Sequence, residues 1–395
     1  MKILLINDYG YPAGGTEIKL RHFRQALRER GHEVRLFTSN AGAASPEDIF
    51  ADHTCPGSNS SIRILTQTFN PAAAFSLWRL LRAFQPDVVH VHMFLTQLSP
   101  AILRVLRNVP TLHAVTWYRC ICPLGTKRLP DGTLCTLPQG RICAQNGCIS
   151  RKDGLLLTLQ RRLLNAWKAK AFDQVVAVSE AVRQRLLAEG HGVDQVIPNG
   201  VPVVPPRPPL SNPPLALYCG RLVPEKGVDV LLRAFARAAR KIPDARLLIA
   251  GEGPRADELR KLAVDLGVSE RVEMTGHLDV NALAHRAETA WVQVVPSQWE
   301  EPFGLVAAEA MMRGTAVIAT RYAGLAEQVV HGETGLLTPP GDADAMADAI
   351  QRILSNREWA ETLGKAARER ALAEYALDKF VDQFETLYQQ LIHHA

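Results

Sequence analysis

Several features that mark other protein classes are absent from this sequence. The longest apolar run near the start, Ile3 to Ile6, has four residues, whereas a signal-peptide core or a bilayer-spanning helix needs many more. No other run is long enough to span a bilayer, so we expect a cytoplasmic protein. There is no Arg-rich tract interleaved with aromatic residues, no RNP-like run and no zinc-finger spacing of histidines. No nucleic-acid partner is therefore expected.

The dinucleotide fingerprint G-x-G-x-x-G is also missing after the first predicted strand, where Gly14-Gly15-Thr16-Glu17 stands instead. The hypothesis of a hydride-transferring enzyme therefore lacks its main support in the sequence. The composition is that of an ordinary globular protein, with 395 residues, 47% hydrophobic and 22% charged. The net charge of +5 is uneven, because residues 1–200 hold 24 Lys/Arg and 14 Asp/Glu. This basic half favours an anionic partner, such as a phospholipid surface or a phosphorylated acceptor, or is simply a solvated face.

Short apolar runs alternate with helical patterns along the chain, which predicts an α/β fold with two doubly wound, Rossmann-like domains. The predicted strands include residues 88–91, 215–219, 246–250 and 316–320. Residues 201–214 hold seven prolines and are predicted as a linker. The first domain is placed at 1–200 and the second at 215–375, and a helix at 376–395 is expected to pack back on the first. Such domains bind ligands at the carboxyl ends of their strands, so we expect the chemistry in a cleft where the two domains face each other.

The segment from Ser297 to Glu309 follows a predicted strand and opens an Ala-rich helix. Pro302 suits the first helical position. The free N–H groups of Phe303, Gly304 and Leu305 would form a positive helix end that accepts a diphosphate.

Glu301 and Glu309 flank this expected anion site. At helical rise they are roughly 12 Å apart, which is too far for a shared acid/base pair. The spacing suits two carboxylates that accept hydroxyl hydrogen bonds from a sugar and a ribose at opposite ends of an extended ligand. The alternative is a helix cap at Glu301 and a surface carboxylate at Glu309.

Arg221 and Lys226 lie in a predicted loop between a strand and a helix, where two cations would neutralise a diphosphate. A solvated loop is the alternative. A second glycine turn, Gly251-Glu252-Gly253-Pro254, follows the next predicted strand.

These motifs occur in a characteristic order: Gly220-Arg221 with Lys226-Gly227, then Gly251 to Pro254, then Glu301 to Gly304 with Glu309, then Gly332 to Leu337. Over residues 215–345 they resemble the retaining glycosyltransferases of the GT-B fold, the large Glu-x7-Glu family that includes sucrose synthases and bacterial mannosyl- and glucosyltransferases.

The resemblance implies a role for each matching residue. Arg221 and Lys226 would bind the donor diphosphate, Glu301 would orient the donor sugar and Glu309 would hold the nucleotide ribose. Glycine loops and backbone amides would complete the donor site at Gly220, Gly251, Gly253, Phe303, Gly304 and Leu305.

In the first half, Gly14 and Gly15 resemble the family's glycine loop that faces the donor phosphates and the acceptor. His113 matches the family histidine that reaches the donor sugar, and we assign it to the catalytic set with Arg221, Lys226 and Glu301. The family often has Asp after this histidine, but Ala114 stands here, so no role of that Asp is carried over.

Five cysteines fall within the predicted loop 118–150. A thiolate zinc site would order such a segment, and its predicted ligands are Cys122, Cys135, Cys143 and Cys148, with Cys120 spare. Reduced free thiols are the alternative. The zinc would be structural, and no cofactor is expected to be required for catalysis.

Two predicted helices, Leu155 to Lys170 and Phe75 to Phe84, combine apolar residues with Trp and cations. They are predicted either to lie on an anionic membrane, at its inner face, or to pack in the core with a basic edge.

The hypothesis from the sequence is transfer of a hexosyl unit, with retention, from a nucleotide diphosphate sugar to a hydroxyl of a glycan or lipid-linked acceptor. By resemblance the setting is bacterial surface polysaccharide biosynthesis. No carboxylate is assignable as a nucleophile, so the family's front-face route is implied, in which the leaving phosphate assists deprotonation of the acceptor. The alternatives are an epimerase or phosphorylase of the same fold, or an inactive nucleotide-sugar-binding subunit.

Overall fold

The chain divides into two α/β units, and a computed structural model describes residues 1–43, 45–60 and 62–394 of it. One unit consists of Met1–Gly200 together with the segment that starts at Leu377, and the other is Val201–Ala376. Among the described residues, no helix is both long and apolar enough to cross a bilayer.

The first unit is built on a seven-stranded parallel sheet in the order β3-β2-β1-β4-β5-β6-β7. Its central strands are continuous apolar runs because helices cover both faces of the sheet. The strands are β1 Lys2–Tyr9, β2 Glu33–Ser39, β3 His53–Cys55, β4 Val88–Val91, β5 Thr111–Val115, β6 Gln174–Ala177 and β7 Gln195–Val196.

Side chains cap several helices of this unit and fix where they begin. Asn70 accepts a hydrogen bond from the amide of Ala73 at 3.0 Å, and Ser179 accepts one from Val182 at 3.2 Å, so orphan amides of the first turn are satisfied. The helices are α1 Gly15–Glu29, α2 Arg63–Thr68, α3 Pro71–Phe84, α4 Arg141–Gln145, α5 Arg151–Lys168 and α6 Glu180–Ala188.

The second unit has a six-stranded parallel sheet in the order β10-β9-β8-β11-β12-β13. The strands are β8 Leu215–Cys219, β9 Arg246–Ala250, β10 Val272–Gly276, β11 Val292–Val295, β12 Ala316–Thr320 and β13 Gly335–Thr338. The helices are α7 Val228–Ala238, α8 Ala256–Asp265, α9 Val280–Glu288, α10 Leu305–Arg313, α11 Ala323–Gln328, α12 Ala343–Leu354 and α13 Arg357–Glu374. Two doubly wound parallel sheets confirm the expected fold class.

The last helix, α14 (Leu377–His394), belongs to the first unit. Phe380 and Phe384 are buried, and their rings pack edge-on to Phe23 of α1 with centroids 5.0 and 5.5 Å away. The hydroxyl of Tyr388 is hydrogen-bonded to Nδ1 of His90 at the end of β4, 2.6 Å away. The first core is therefore completed by residues that follow the second unit in the chain.

Candidate functional site

The candidate site of the second unit is formed by the loops that follow β8, β9 and β11. Because all six strands are parallel, their carboxyl ends lie at one edge of the sheet, and the loops meet there. The amide of Leu222 donates to the carbonyl of Glu252 at 2.8 Å, and the amide of Gln298 donates to the carbonyl of Glu225 at 2.8 Å. These bonds tie the three loops into one surface.

The close contact of these loops requires glycine at two positions. Gly251 has φ +149°, and a Cβ there would overlap the carbonyl oxygen of Gly220. Gly227 has φ +66°, and a Cβ there would overlap the carbonyl oxygen of Pro296. A larger residue at either position would push the loops apart.

Lys226 and Glu301, both predicted site residues, form an ion pair between the β8 and β11 loops. Ser297 Oγ donates to the same carboxylate oxygen, Oε1 of Glu301, at 2.8 Å. Burial alone would raise the pKa of Glu301, but the ion pair with Lys226 and the hydrogen bonds lower it below the ordinary value. Glu301 is thus a buried carboxylate that stays ionised beside a cation.

Arg221 lies in the same loop as Lys226 but is held much more loosely. Its side chain is 65% exposed and its guanidinium is 3.7 Å from the carboxylate of Glu225. The backbone is fixed instead, because the hydroxyl of Tyr218 donates to the carbonyl of Arg221 at 2.8 Å. The guanidinium is therefore open to an anionic ligand.

Helix α10 begins at Leu305 rather than at the predicted Pro302. Gly304 precedes it with φ +94°, in the left-handed region that glycine favours, and no side chain caps the helix. The amide of Ala307 donates to the carbonyl of Gly304 at 3.0 Å. Among the described residues, the amides of Leu305 and Val306 have no acceptor, as an anion site requires. Glu301 lies outside the helix, so the separation of roughly 12 Å derived from helical rise does not apply.

Phe303 and Glu309 sit on either side of this helix start. The ring of Phe303 is buried against Tyr375, with centroids 5.6 Å apart, which leaves only its backbone for a ligand. Glu309 is half-buried and, among the described residues, has no hydrogen-bond or ion-pair partner. Burial raises its pKa, although the charge of Arg313 acts in the opposite direction.

The carboxyl edge of the first unit's sheet holds the other predicted residues. Gly14 precedes α1, and a Cβ there would meet only Oε2 of Glu17, at 3.6 Å; Gly15 is the first residue of the helix. Glu17 is buried and accepts a hydrogen bond from Nδ2 of Asn7 at 3.2 Å. The glycine loop therefore leaves room for a ligand beside a buried carboxyl group.

His113, in the middle of β5, lines a small cavity of about 20 Å³ together with Asp8, His92 and Arg119. Its ring stacks on Phe172 with centroids 4.6 Å apart. Burial, followed by the nearby charges of His191 and Lys168, lowers the pKa of His113 to about 3. At neutral pH this histidine is an uncharged hydrogen-bonding group.

Sequence reasoning missed the buried charges at this edge. Nζ of Lys19 donates to Oδ1 of Asn199 at 2.9 Å, and burial lowers the pKa of Lys19 to about 8. Asp8 accepts hydrogen bonds from three amides, those of Thr96, Gln97 and Leu98, at 2.7–3.0 Å. No local pattern signals this burial, since the hydrogen-bond partners are far apart in sequence.

The four predicted zinc ligands lie in the cysteine segment between β5 and α5. Nowhere in residues 1–43, 45–60 and 62–394 do three His, Cys, Asp or Glu side chains come together as a metal site. Sγ of Cys122 accepts from the amide of Lys127 at 3.4 Å, and Cys135 is directed at the carbonyl of Leu137 at 3.8 Å. Cys143 and Cys148 are also free thiols. Burial, and then the neighbouring thiols of Cys143, Cys135 and Cys122, raises the pKa of Cys148, and zinc stays a prediction from sequence.

Comparisons with known proteins give the family. Residues 205–370 match the family model described as glycosyl transferases group 1, and residues 13–204 match that of glycosyltransferase family 4. The chain belongs to the group 1 glycosyltransferases and has their GT-B fold, which confirms the resemblance drawn from the motifs.

Three similar proteins illustrate this membership. The chain is 28% identical over 417 aligned positions to glycogen synthase of Mycobacterium tuberculosis, covering 95% of the chain and 91% of that protein. It is 29% identical to phosphatidyl-myo-inositol mannosyltransferase of Mycolicibacterium smegmatis, covering 94% and 89%. Among solved structures, sucrose-phosphate synthase from Thermosynechococcus elongatus superposes with a TM-score of 0.75 at 27% identity over 100% of both chains.

Proposed function

We propose that this glycosyltransferase transfers a hexosyl unit from a nucleotide diphosphate sugar to a hydroxyl of a glycan or lipid-linked acceptor, with retention at the anomeric carbon. The observation that carries the proposal is the Lys226–Glu301 ion pair on the loop surface that includes the uncapped start of α10. One surface thus offers a fixed cation and free amides for a diphosphate, and an ionised carboxylate for sugar hydroxyls.

The site residues act through charge or through hydrogen bonds. Lys226, Arg221 and the α10 amides stabilise the negative charge that develops on the leaving diphosphate. Glu301 accepts hydrogen bonds from the sugar, and the unpaired carboxyl group of Glu309 accepts them from the ribose. His113 is neutral and orients a hydroxyl without adding charge. The leaving phosphate takes the proton from the acceptor hydroxyl as the new glycosidic bond forms.

The acceptor is proposed from the family and from the charge of the first unit. Relatives named for glycogen synthesis and for mannosylation of phosphatidyl-myo-inositol are consistent with a glycan or a lipid-linked acceptor. We place the reaction in bacterial surface polysaccharide biosynthesis.

The first experiment is a thermal-unfolding screen with UDP, GDP, ADP and their common sugar conjugates. A ligand that binds the native state raises the unfolding midpoint, so one nucleotide series is expected to do so. The conjugate found is then incubated with glycan acceptors, and transfer with retained anomeric configuration is expected. Epimerised donor without acceptor, or consumption of inorganic phosphate, would contradict the proposal, as would binding without any turnover.

The site is tested by Lys226→Ala, which removes the fixed cation. Loss of such a charge-stabilising group is expected to lower turnover by about a hundredfold or more. The unfolding midpoint should fall as well, because Glu301 is left buried without its cation, so activity is measured well below that midpoint. Lys261→Ala is the matched control, because Lys261 is exposed on α8 and paired with Asp265 at 2.7 Å. Equal activity of the two variants would remove Lys226 from the mechanism.

A further inference from the structure

Three helices of the first unit carry large apolar side chains in contact with solvent. Leu155 on α5 is 76% exposed, Phe75 on α3 is 58% exposed and Leu65 on α2 is 54% exposed, with Phe69 and Leu159 also exposed. An apolar surface of this kind marks an interaction site.

The three helices are neighbours, so these side chains belong to one region. Nε2 of Gln160 on α5 donates to the carbonyl of Gln67 on α2, and only Phe69 and Asn70 separate α2 from α3. Helices α3 and α5 both pack on the 3-10 turn Pro100–Arg104. We call the exposed side of α2, α3 and α5 the docking face.

The docking face has a strong excess of positive charge. Residues 57–86, which include α2 and α3, contain no Asp or Glu, and α5 contains Asp153 alone. Six exposed cations lie on these helices, and none of them has an ion-pair partner in the described part of the chain: Arg63, Arg79, Arg82, Arg151, Lys152 and Arg162.

In the second unit, two exposed cations of α8 are paired, whereas Arg233 on α7 and Lys365 on α13 are exposed without an ion-pair partner in the described residues. Arg260 pairs with Asp257 at 2.6 Å, and Lys261 pairs with Asp265 at 2.7 Å. The docking face differs from α8 in that its exposed cations are not paired with carboxylates. Unpaired cations between exposed apolar side chains are complementary to an anionic lipid surface.

A groove of about 250 Å³ opens beside α5 and strengthens this assignment. Arg161 and Arg162 line it together with Thr158, Asn165 and Gly140, and none of its lining residues is a carboxylate. Two guanidinium groups and polar side chains in a concave site suit a phosphate group.

We propose that the docking face binds an anionic phospholipid bilayer and that the groove beside α5 receives the phosphate of a lipid head group. Leu155 and Leu159 enter the acyl boundary, and the surrounding cations meet the anionic heads. This inference goes beyond the proposed function, because such binding requires no sugar nucleotide and no transfer.

The test is co-sedimentation of the full chain with vesicles, without any donor. Binding is expected to vesicles that contain phosphatidylglycerol, to be much weaker with phosphatidylcholine alone, and to fall with added salt. Leu155→Glu combined with Leu159→Glu is expected to weaken binding at least about tenfold. The control pair Val264→Glu and Val280→Glu, at exposed apolar positions of the second unit, should leave binding unchanged.

The groove is tested with two double variants that remove the same number of positive charges. Arg161→Gln with Arg162→Gln should weaken binding more than Arg151→Gln with Lys152→Gln, although each pair removes two charges. An equal loss would overturn the groove assignment, and the thermal midpoint of each variant shows that it is folded. Failure of the wild type to bind phosphatidylglycerol vesicles, or full binding by the leucine variant, would overturn the docking face while leaving the transferase proposal intact.

Discussion

Glu17 is a carboxyl group that the first unit keeps away from water. Burial raises the pKa of Glu17 to about 7 from an ordinary 4.5, and the charge of Asp8 adds to this shift. Hydrogen bonds from Asn7 and from the backbone amide of Glu17 itself, and the charge of Lys19, act in the opposite direction. The raised pKa means that the folded chain holds this proton over a pH range in which the unfolded chain has lost it. The contribution of Glu17 to the free energy of unfolding is therefore fully present below about pH 4.5 and is lost as the pH rises through 7.

Replacement of Glu17 by Gln is expected to remove this pH dependence. Between pH 5 and 7.5 the wild type should lose about 2 kcal/mol of unfolding free energy relative to Glu17→Gln. The measurement is urea denaturation of both proteins across that range, below the shifted pKa of Lys19. Parallel curves for the two proteins would show that Glu17 is ionised in the folded state at both ends of the range.

The same neighbourhood shows what sequence reasoning at the level of residues misses. Lys226 and Glu301 were predicted because each lies in a short motif whose spacing is visible locally. Glu17 and Lys19 belong to a helix with an ordinary charge pattern, and the partner of Lys19, Asn199, is 180 positions away. Burial of a charge is decided by such distant partners and leaves no local signal.

At the scale of elements, the segment of irregular structure before α5 is held by a buried ion pair. Lys127 and Glu189 are 2.6 Å apart with side chains 3% and 7% exposed. Nζ of Lys127 also donates to the carbonyl of Leu137, and the amide of Gln139 donates to Glu189. The pair joins the cysteine segment to the residue that follows α6.

Lys127→Met is expected to lower the free energy of unfolding by about 3–5 kcal/mol, because it leaves Glu189 buried without its partner. The double variant Lys127→Met with Glu189→Leu should lose less than the sum of the two single variants. Urea denaturation of all four proteins measures this coupling. A large loss of stability on treatment with a chelator, with the variants unaffected, would favour the predicted zinc site instead.

Strands and helices with a regular pattern of apolar residues were predicted well, and the differences between predicted and observed elements have identifiable causes. The predicted strands at 88–91, 215–219, 246–250 and 316–320 agree with β4, β8, β9 and β12, since buried apolar runs between turn residues have few other solutions. The edge strands β3 and β13 were missed because runs of three or four residues are set by pairing with a neighbour. The predicted start of α10 at Pro302 was wrong, because Gly304 adopts a left-handed conformation and the helix begins only after it. The presence of Pro302 does not indicate this conformation.

At the scale of the whole molecule, the first unit is assembled from two stretches of chain separated by the entire second unit. The buried side chains of α14, Phe384 among them, fill the same core as Phe23 and Leu20 of α1. This core therefore depends on contacts between residues more than 350 positions apart. Such contacts form only after a very long loop has closed, which costs conformational entropy. Helix α14 is part of the first unit's core rather than an appendage to the second.

Phe384→Ala is consequently expected to lower the unfolding free energy of the first unit by about 3–5 kcal/mol, the usual result of emptying a buried aromatic site. Leu372→Ala is the control, since Leu372 is exposed on α13 of the second unit, and surface substitutions of this kind change stability by about 0.5 kcal/mol or less. Hydrogen exchange at the amides of β1 and β4 reports on the first unit directly. Faster exchange there in Phe384→Ala alone is the expected result, because α14 covers these strands. Unchanged protection of both strands would mean that the first sheet is stable without this contact and that α14 merely rests on it.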